Sequence, residues 1–267
     1  MGAQDQFSTE AETAERAARE AGSILMSLYG KEYRVEEKGK GNPVTTADLE
    51  ANTKIREILL NRFPEDGWLS EEDKDSAARL NASRVWVVDP MDGTKEFIQG
   101  VPQFSVSIAL VVDSRPVVGV VYNPLTQKLF RAVVQRGATL NDTPIRISAR
   151  EDMEGAMLLV SRSEPQRKFR PFAELCRLEP VGSIAYRLAL VAQGEGDGTL
   201  TLRSVHDWDV CAGELIVREA GGIVSDGSGQ DLIYNRQDTV HRGIVASNKT
   251  LSLRLQGMVA EILSGRR

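Results

Sequence analysis

The chain begins with a helical pattern of apolar residues. Between about Ser8 and Tyr29, alanine, isoleucine and leucine recur at helical spacing, and Gly30 follows as a stop signal. A second pattern of this kind begins at Thr46, which we expect to cap a helix, and it continues until Pro64. The first sixty residues are therefore predicted to form two amphipathic helices.

The rest of the first half is rich in valine and isoleucine and reads as β-structure. Short polar breaks separate its apolar runs, which predicts successive antiparallel strands. These strands are expected at Phe104 to Asp113, Pro116 to Asn123 and Leu129 to Val134, and the GATLNDTPIRIS segment adds a turn and a last strand.

Beyond a composition shift near Ala149 to Glu154, predicted strands and helices alternate. The strands are expected at Met157 to Ser161, Gly198 to Leu202, Ile223 to Asp226 and Gly243 to Ser247, and the helices at Pro165 to Cys176, Ile184 to Gln193, Asp209 to Ala220 and Lys249 to Leu263. We therefore predict an N-terminal α+β domain over residues 1–150 and a C-terminal α/β domain over residues 151–267.

Composition narrows the class of protein. A net charge of −5 disfavours sequence-independent binding to nucleic acid, and no apolar run approaches the length of a membrane-spanning helix. The N-terminus lacks the basic and apolar layout of a secretory signal, so we expect a cytoplasmic protein. Two cysteines without CxxC spacing and two histidines indicate neither a disulfide framework nor a multi-histidine zinc site.

One stretch joins a buried strand to an acidic turn. Val85 to Val88 lead directly into Asp89-Pro90-Met91-Asp92-Gly93-Thr94. Because proline lacks an amide hydrogen and glycine tolerates unusual dihedrals, this segment should bend sharply and aim its carboxylates at one point. Carboxylate and carbonyl oxygens are the ligands that Mg2+ prefers. Alone, such a motif is better explained as an acidic surface turn, so other parts of the chain must decide.

Two further acidic segments change that balance. Trp68 is followed by LSEED, and Trp208 lies within a segment that reads HDWDVCAG and is followed by EAGG. The second segment places Asp209 at the start of a predicted helix that ends in a glycine pair. The basic segment EEKGKGNPVTTAD is predicted to be a loop placed so that it can cover a site. We interpret its Lys38 and Lys40 as surface lysines rather than ligand contacts.

The chain resembles the inositol monophosphatase superfamily of Mg2+-dependent, lithium-sensitive phosphatases in the order and spacing of three motifs. These motifs are LSEED, DPMDGT, and WDVCAG followed by EAGG. The resemblance implies a layered αβαβα sandwich of the inositol monophosphatase and fructose-1,6-bisphosphatase type. It also implies a homodimer, a small phosphorylated substrate and two or three Mg2+ ions per site. Within the superfamily, DPMDGTKEF is similar to the 3'(2'),5'-bisphosphate nucleotidase (CysQ-type) branch.

The resemblance also implies metal ligands. Glu71, Asp89 and the carbonyl of Met91 would hold one Mg2+, while Asp89, Asp92 and Asp209 would hold a second. Two such ions can neutralise a phosphate ester and activate water. Glu72 would assist through an outer-shell water or would be a plain surface acid.

Other residues receive catalytic and binding roles from the same resemblance. Thr94 and Asp48 would orient and deprotonate the attacking water, or, in the alternative, either residue is a helix cap. Backbone amides of Gly93, Thr94 and Lys95 would bind phosphate at a helix start. Trp208 is interpreted as a packing residue, and His206 and His241 receive no role.

The resemblance also implies a leaving-group pocket in the second half. Arg162, Ser183 and Arg187 match positions of the nucleotidase branch, which implies that they contact the substrate, and an arginine suits a second phosphate group. The alternative is that the arginines are ordinary surface residues. Inositol phosphatases carry an acid where this chain has Leu202-Arg203-Ser204, which favours an anionic substrate. The leading expectation is therefore removal of the 3'-phosphate from adenosine 3',5'-bisphosphate. The alternatives are an inositol monophosphatase or broad-range sugar phosphatase, and a phosphate-binding protein without catalysis.

Overall fold

The computed structural model describes residues 6–39 and 42–263. Its helices are α1 Ser8–Leu28, α2 Thr46–Arg62, α3 Thr94–Ile98, α4 Arg170–Ala173, α5 Ile184–Ala192, α6 Asp207–Glu219 and α7 Lys249–Leu263, with short 3-10 helices at Ala77–Asn81 and Gln166–Phe169. Its strands are β1 Val35–Gly39, β2 Asn42–Thr45, β3 Gly67–Ser70, β4 Arg84–Asp92, β5 Ser105–Val112, β6 Arg115–Asn123, β7 Lys128–Val133, β8 Ala138–Leu140, β9 Thr143–Pro144, β10 Met157–Ser161, β11 Arg177–Val181, β12 Gly198–His206, β13 Ile223–Asp226 and β14 Val240–Ser247.

The strands form two large sheets and a hairpin. The seven-stranded sheet has the order β3-β4-β5-β6-β7-β8-β9, in which β3 is parallel to β4 and the later neighbours are antiparallel. The five-stranded sheet has the order β11-β10-β12-β14-β13, with β10 parallel to both its neighbours and β14 antiparallel to both of its own. Strands β1 and β2 form the separate antiparallel hairpin.

Helices cover both faces of the large sheets. Helices α1 and α2 pack on one face of the seven-stranded sheet, α5 and α6 lie between the two sheets, and α7 packs on β12 and β14. This αβαβα layering confirms the fold predicted from the sequence.

Strand β4 shows why its sequence is apolar throughout. Trp86 and Val88 belong to the core beneath α1 and α2, whereas Val85 and Val87 belong to the core shared with α5 and α6. Successive side chains of a strand point to opposite faces, so a strand covered on both faces has no polar alternation. Each fully buried side chain of this kind contributes about 1.5–3 kcal/mol to stability.

Several predicted boundaries need correction. Thr45, rather than Thr46, caps α2, because Thr45 Oγ1 accepts from Ala47 N and Asp48 Oδ2 accepts from Thr45 N. The helix expected at Pro165 to Cys176 is a 3-10 turn followed by the single turn α4, which has a proline in its first turn. Helix α6 begins at Asp207, two residues earlier than expected.

Some elements were missed, and one prediction is untested. Strands β3 and β11 were not predicted, since they are short and, in β11, interrupted by Pro180. The division into domains at residue 150 stays a prediction. Among the described residues, no helix has both the length and the apolar composition needed to cross a bilayer.

Gly119 tests how closely α6 packs on the seven-stranded sheet. A Cβ at this position in β6 would lie 2.7 Å from the carbonyl oxygen of Ala212 in α6. The clash is with a backbone atom, which cannot rotate away as the end of a flexible side chain can. We expect Gly119→Ala to lower the free energy of unfolding in urea by about 2 kcal/mol through overpacking. Gly257→Ala is the control, because its Cβ would meet no atom within 4 Å, and it should stabilise α7 by up to about 1 kcal/mol. Equal stabilities of the two variants would contradict the packing argument.

Candidate active site

The acidic turn after the β-branched run lies inside strand β4, at an irregularity in its pairing with β5. Asp89 pairs with Ser107 and Asp92 with Ser105, so β4 carries one residue more than its partner between these pairs. Pro90 lies within this bulge, where its missing amide hydrogen breaks no ladder bond. Both carboxylates are buried, with 1% of Asp89 and 8% of Asp92 exposed.

Three carboxylates from distant parts of the chain converge here. One oxygen each of Glu71, Asp89 and Asp209 lies within 4.8 Å of the other two. Glu71 follows β3, where its amide donates to Val88 O at 3.2 Å and continues the pairing with β4. Asp209 lies in the first turn of α6, where its Oδ2 accepts from the amide of His206 at 2.6 Å. The predicted metal ligands Glu71, Asp89 and Asp209 are therefore together.

The electrostatics of this cluster favour a bound cation. Burial, followed by the charges of Glu71 and Asp92, raises the pKa of Asp89 well above its usual range. Burial and the charge of Asp92 raise the pKa of Asp209 to about 8. Asp89 Oδ1 accepts from the amide of Met91, but Asp89 Oδ2 is buried without a hydrogen-bond partner among the described residues. A divalent cation would satisfy that oxygen and offset the repulsion, so the oxygen donor set fits Mg2+.

Asp92 lies beside this cluster but is not one of the three carboxylates whose oxygens lie within 4.8 Å of one another. Its Oδ2 accepts from Ser183 Oγ and from the amide of Ala185, both at 2.7 Å, at the start of α5. Burial raises the pKa of Asp92, and these two hydrogen bonds oppose the effect. Ser183, predicted as a substrate contact, is thus buried and holds a predicted metal ligand.

Thr94 and Asp48 are brought together as expected. Thr94 Oγ1 lies 2.9 Å from Asp48 Oδ1 and 3.2 Å from the carbonyl oxygen of Met91. The other oxygen of Asp48 accepts from the amide and hydroxyl of Thr45. Burial raises the pKa of Asp48. The pair therefore combines a hydroxyl with a carboxylate of increased basicity.

The turn into α3 requires a glycine. Gly93 has a φ of 101°, and a Cβ there would lie 2.8 Å from the carbonyl oxygen of Gln103. Thr94 and Lys95 then form the first turn of α3 and line the cavity together with Gly93. Phe97, in contrast, packs against Tyr29 and Phe104 in the core. Part of the KEF sequence that suggested a nucleotide is therefore a packing feature.

The two arginines predicted to contact the substrate from the second half of the chain differ in position. Arg187 lines the cavity but is only 2% exposed, and its Nη1 donates to Leu200 O at 3.1 Å. Burial lowers its pKa to about 10, and its Nε has no hydrogen-bond partner among the described residues. Arg162 is exposed and is not among the described residues lining the cavity. The substrate contact of Arg162 therefore stays a prediction, and the position of Arg162 outside the cavity lining does not support it.

Lys38 was wrongly interpreted as a plain surface lysine. It extends from β1, and its Nζ donates to Glu71 Oε1 and Glu72 Oε1, both at 2.8 Å. Burial raises the pKa of Glu72 to about 7 despite this contact. The segment around Lys38 was predicted to be a loop, whereas it forms the β1–β2 hairpin. The contact of Lys38 depends on how this hairpin folds back, which a single lysine in the sequence does not indicate. Lys40 lies outside the described residues.

Three further residues line the cavity, and they were interpreted differently from the sequence: His206 received no role, Trp208 was interpreted as a packing residue, and Arg203 was noted as replacing an acid. The rings of His206 and Trp208 stack at 4.5 Å with an angle of 6°, and both line the cavity. Arg203 also lines it, and its charge opposes the rise in the pKa values of Asp92 and Asp209 that burial causes. The stacking of His206 on Trp208 had no signal in the sequence.

These residues enclose one cavity of about 410 Å³ between the two halves of the chain. Its lining includes Lys38, Glu71, Asp89, Met91, Asp92, Gly93, Thr94, Lys95, Glu96, Ser183, Arg187, Arg203, His206, Trp208 and Asp209. Its lining combines carboxylates with arginine and aromatic side chains.

Comparisons with known proteins agree with this geometry. The model of the inositol monophosphatase family matches residues 7–264. The inositol-1-monophosphatase of Synechocystis sp. is 39% identical, with 80% of this chain and 77% of that protein covered. The Nus factor SuhB of Haemophilus influenzae is 37% identical, with 79% of this chain and 82% of that protein covered.

Solved structures give the same result. The extragenic suppressor protein suhB from Bartonella henselae superposes with a TM-score of 0.85 at 33% identity, covering 94% of this chain and 98% of that chain. These relatives favour the inositol phosphatase alternative over the bisphosphate nucleotidase branch that the KEF sequence suggested. The chain therefore belongs to the inositol monophosphatase family and is a phosphatase of that family.

Proposed function

We propose that the protein is a Mg2+-dependent phosphomonoesterase whose substrate is inositol monophosphate or a similar polyol phosphate. The observation that carries this proposal is the convergence of Glu71, Asp89 and Asp209 on one point, with the unpartnered Oδ2 of Asp89 among them. The names of the relatives support the polyol substrate.

The metal would be held by Glu71, Asp89 and Asp209, with Asp92 and the Met91 carbonyl adjacent to them. Mg2+ bound there supplies charge neutralisation for the phosphate ester and promotes ionisation of water. The fold contributes by fixing these oxygens before the ion arrives, so little reorganisation opposes binding.

Thr94 and Asp48 would handle the proton of the attacking water. Thr94 Oγ1 is within hydrogen-bond distance of Asp48 Oδ1, so a proton taken from water by the hydroxyl can pass to the carboxylate. The raised pKa of Asp48 makes this carboxylate a better base than an exposed aspartate. The turn formed by Gly93, Thr94 and Lys95 would direct backbone amides toward the phosphate.

A second candidate substrate, a bisphosphate nucleotide such as adenosine 3',5'-bisphosphate, is favoured by the arginine and aromatic side chains that line the cavity. Arg203 lines the cavity where the resemblance predicts an acid for sugar hydroxyls. A guanidinium suits a second phosphate, and the stacked rings of His206 and Trp208 offer apolar area beside it.

A substrate panel tests the proposed function. We expect phosphate release in Mg2+ to show a higher kcat/KM for inositol 1-phosphate than for adenosine 3',5'-bisphosphate or fructose 1,6-bisphosphate. A preference for the nucleotide would establish the second candidate instead, and no release from any of the three would refute phosphatase activity on these substrates. If the nucleotide is preferred, Arg203→Ala should raise its KM by at least about tenfold, since a hydrogen bond between charged groups contributes about 1.5–3 kcal/mol.

Asp92→Asn tests the metal site without disturbing the fold. An asparagine carbonyl can still accept from Ser183 Oγ and from the amide of Ala185, so the start of α5 should remain in place. We expect kcat to fall at least about 100-fold, as when charge stabilisation in a transition state is lost. Thermal unfolding checks that the variant is folded, and Asp142→Asn, at an exposed acid, is the control. Activity within a few-fold of wild type would contradict a metal-binding role for Asp92.

The raised pKa values predict how stability depends on pH and Mg2+. In the folded state Asp89 and Asp209 bind protons more tightly than in the unfolded chain, so their contribution to stability is present at low pH. That contribution is lost as pH rises from about 4 towards the pKa of about 8 for Asp209. Without divalent cations, Tm should therefore fall over this range.

Mg2+ should reverse that loss, because it replaces the protons between the carboxylates. We expect Mg2+ to raise Tm more at pH 8 than at pH 5, measured by thermal unfolding in matched buffers. Asp209→Asn should reduce both the pH dependence of metal-free Tm and the Mg2+ effect. An equal Mg2+ effect at both pH values would show that these carboxylates do not bind the ion.

A further inference from the structure

A buried carboxylate that takes no part in lining the cavity lies two residues before Asp209. Asp207, the first residue of α6, is 0% exposed and is not among the described residues that line the cavity. Its Oδ1 lies 2.8 Å from His241 Nε2, and its Oδ2 accepts from the amide of Asn235 at 3.2 Å. A carboxylate can only accept, so the imidazole Nε2–H donates. Burying such a group is costly unless it is paired, and here both oxygens are used.

The backbone of the same turn is fixed by the same part of the chain. The amide of Asp207 donates to Thr239 O at 2.9 Å, and His206 Nδ1 lies 2.9 Å from Thr239 Oγ1. His241 lies in β14, where it pairs with Val205 of β12. Residues 235–241 therefore clamp the junction at which β12 passes into α6.

That junction determines the orientation of Asp209. Asp209 Oδ2 accepts from the amide of His206 at 2.6 Å, so the backbone of His206 directs one carboxylate oxygen and leaves the other for the cluster. A metal site tolerates displacements of only about 0.5 Å before its geometry is lost. A shift of the β12–α6 junction would therefore reach the ligand oxygen directly.

We propose that Asp207 and His241 are positioning residues that hold the start of α6 so that Asp209 presents its carboxylate to Mg2+. This inference rests on the Mg2+ site of the proposed function. Asp207 and His241 do not touch the ion or the substrate. They act through the backbone of the first turn of α6, as residues behind metal ligands commonly do.

The same helix provides a matched comparison. Glu214 is also a buried carboxylate of α6, with 1% exposed, and it also ties residues near 234 to the helix. Tyr234 Oη donates to Glu214 Oε2, and Arg218 Nε donates to Glu214 Oε1 at 2.6 Å. Glu214 lies beyond Asp209, and its partner Tyr234 packs on His241 with ring centroids 5.4 Å apart. The hydrogen bonds of Glu214 go to Arg218 and Tyr234, so its loss removes no hydrogen bond of the junction. We therefore expect the loss of Glu214 to destabilise the fold and to leave Asp209 in place.

The test measures Mg2+ binding by the full chain without substrate. Isothermal titration calorimetry of metal-free protein gives the Kd for Mg2+, and thermal unfolding gives Tm for wild type, Asp207→Ala, Asp207→Asn and Glu214→Ala. We expect Asp207→Ala to raise the Kd about tenfold or more, the usual effect of losing a partner behind a metal ligand. Asp207→Asn retains an acceptor for His241 and should recover part of the affinity. Glu214→Ala should lower Tm and leave the Kd within twofold of wild type.

Kinetics add an independent measure. At saturating Mg2+ the Asp207→Asn variant should keep a kcat close to that of wild type, because the defect is in metal affinity. If Asp207→Ala does not fold, Asp207→Asn and His241→Gln carry the comparison.

Three results would overturn the inference. An unchanged Kd in the folded Asp207 variants would leave the pair a structural role only. An equal rise in Kd for Glu214→Ala would show that the effect is not local to the junction. Wild-type protein that binds no Mg2+ would refute the metal site and the proposed function with it, whereas normal wild-type binding with unaltered variants refutes positioning alone.

Discussion

Burial and mutual repulsion in one carboxylate cluster are the constraint on which the functional part of this structure depends. Asp89 is buried and Glu71 and Asp209 are half-buried, with one oxygen of each within 4.8 Å of the others. Burial, together with the neighbouring charges, raises the pKa values of Asp89 and Asp209. Such a cluster opposes folding in the absence of protons or a cation. It persists because the layers around it are held by large apolar cores on both faces of the seven-stranded sheet. A bound cation would stabilise an arrangement that the protein builds in advance.

A different structural feature positions each carboxylate, and together these features keep the cluster in one geometry. Asp89 lies at a bulge in β4, Asp92 accepts a hydrogen bond from the start of α5, and Asp209 accepts one from the amide of His206. The proposed pair of Asp207 and His241 would position Asp209 indirectly, by holding the junction of β12 and α6. Burial of each polar group alone would cost free energy, but these groups are hydrogen-bonded to one another.

The cavity combines two kinds of side chain. Carboxylates from the segment after β3, from β4 and from α6 converge beside the pair of Thr94 and Asp48, an arrangement that suits hydrolysis of a phosphate ester. Arg203, His206 and Trp208 line the same cavity and are candidates for contact with the rest of a substrate. Membership of the inositol monophosphatase family rests on the match to the family model over residues 7–264.

The sequence by itself determined most strand and helix positions, because strong periodicity records them. The layered fold, the acids predicted to bind metal and the pairing of Thr94 with Asp48 followed from the resemblance of its motifs to the family. Tertiary structure decided what depends on contacts between distant segments. Lys38 reaches Glu71 and Glu72 only because the β1–β2 hairpin folds back, and Arg162 does not line the cavity although Arg203 does. Phe97 proved to be a core residue, and the burial of Asp207 against His241 joins positions 34 residues apart. Local patterns encode which face of an element is apolar, but they do not encode which distant side chain meets it.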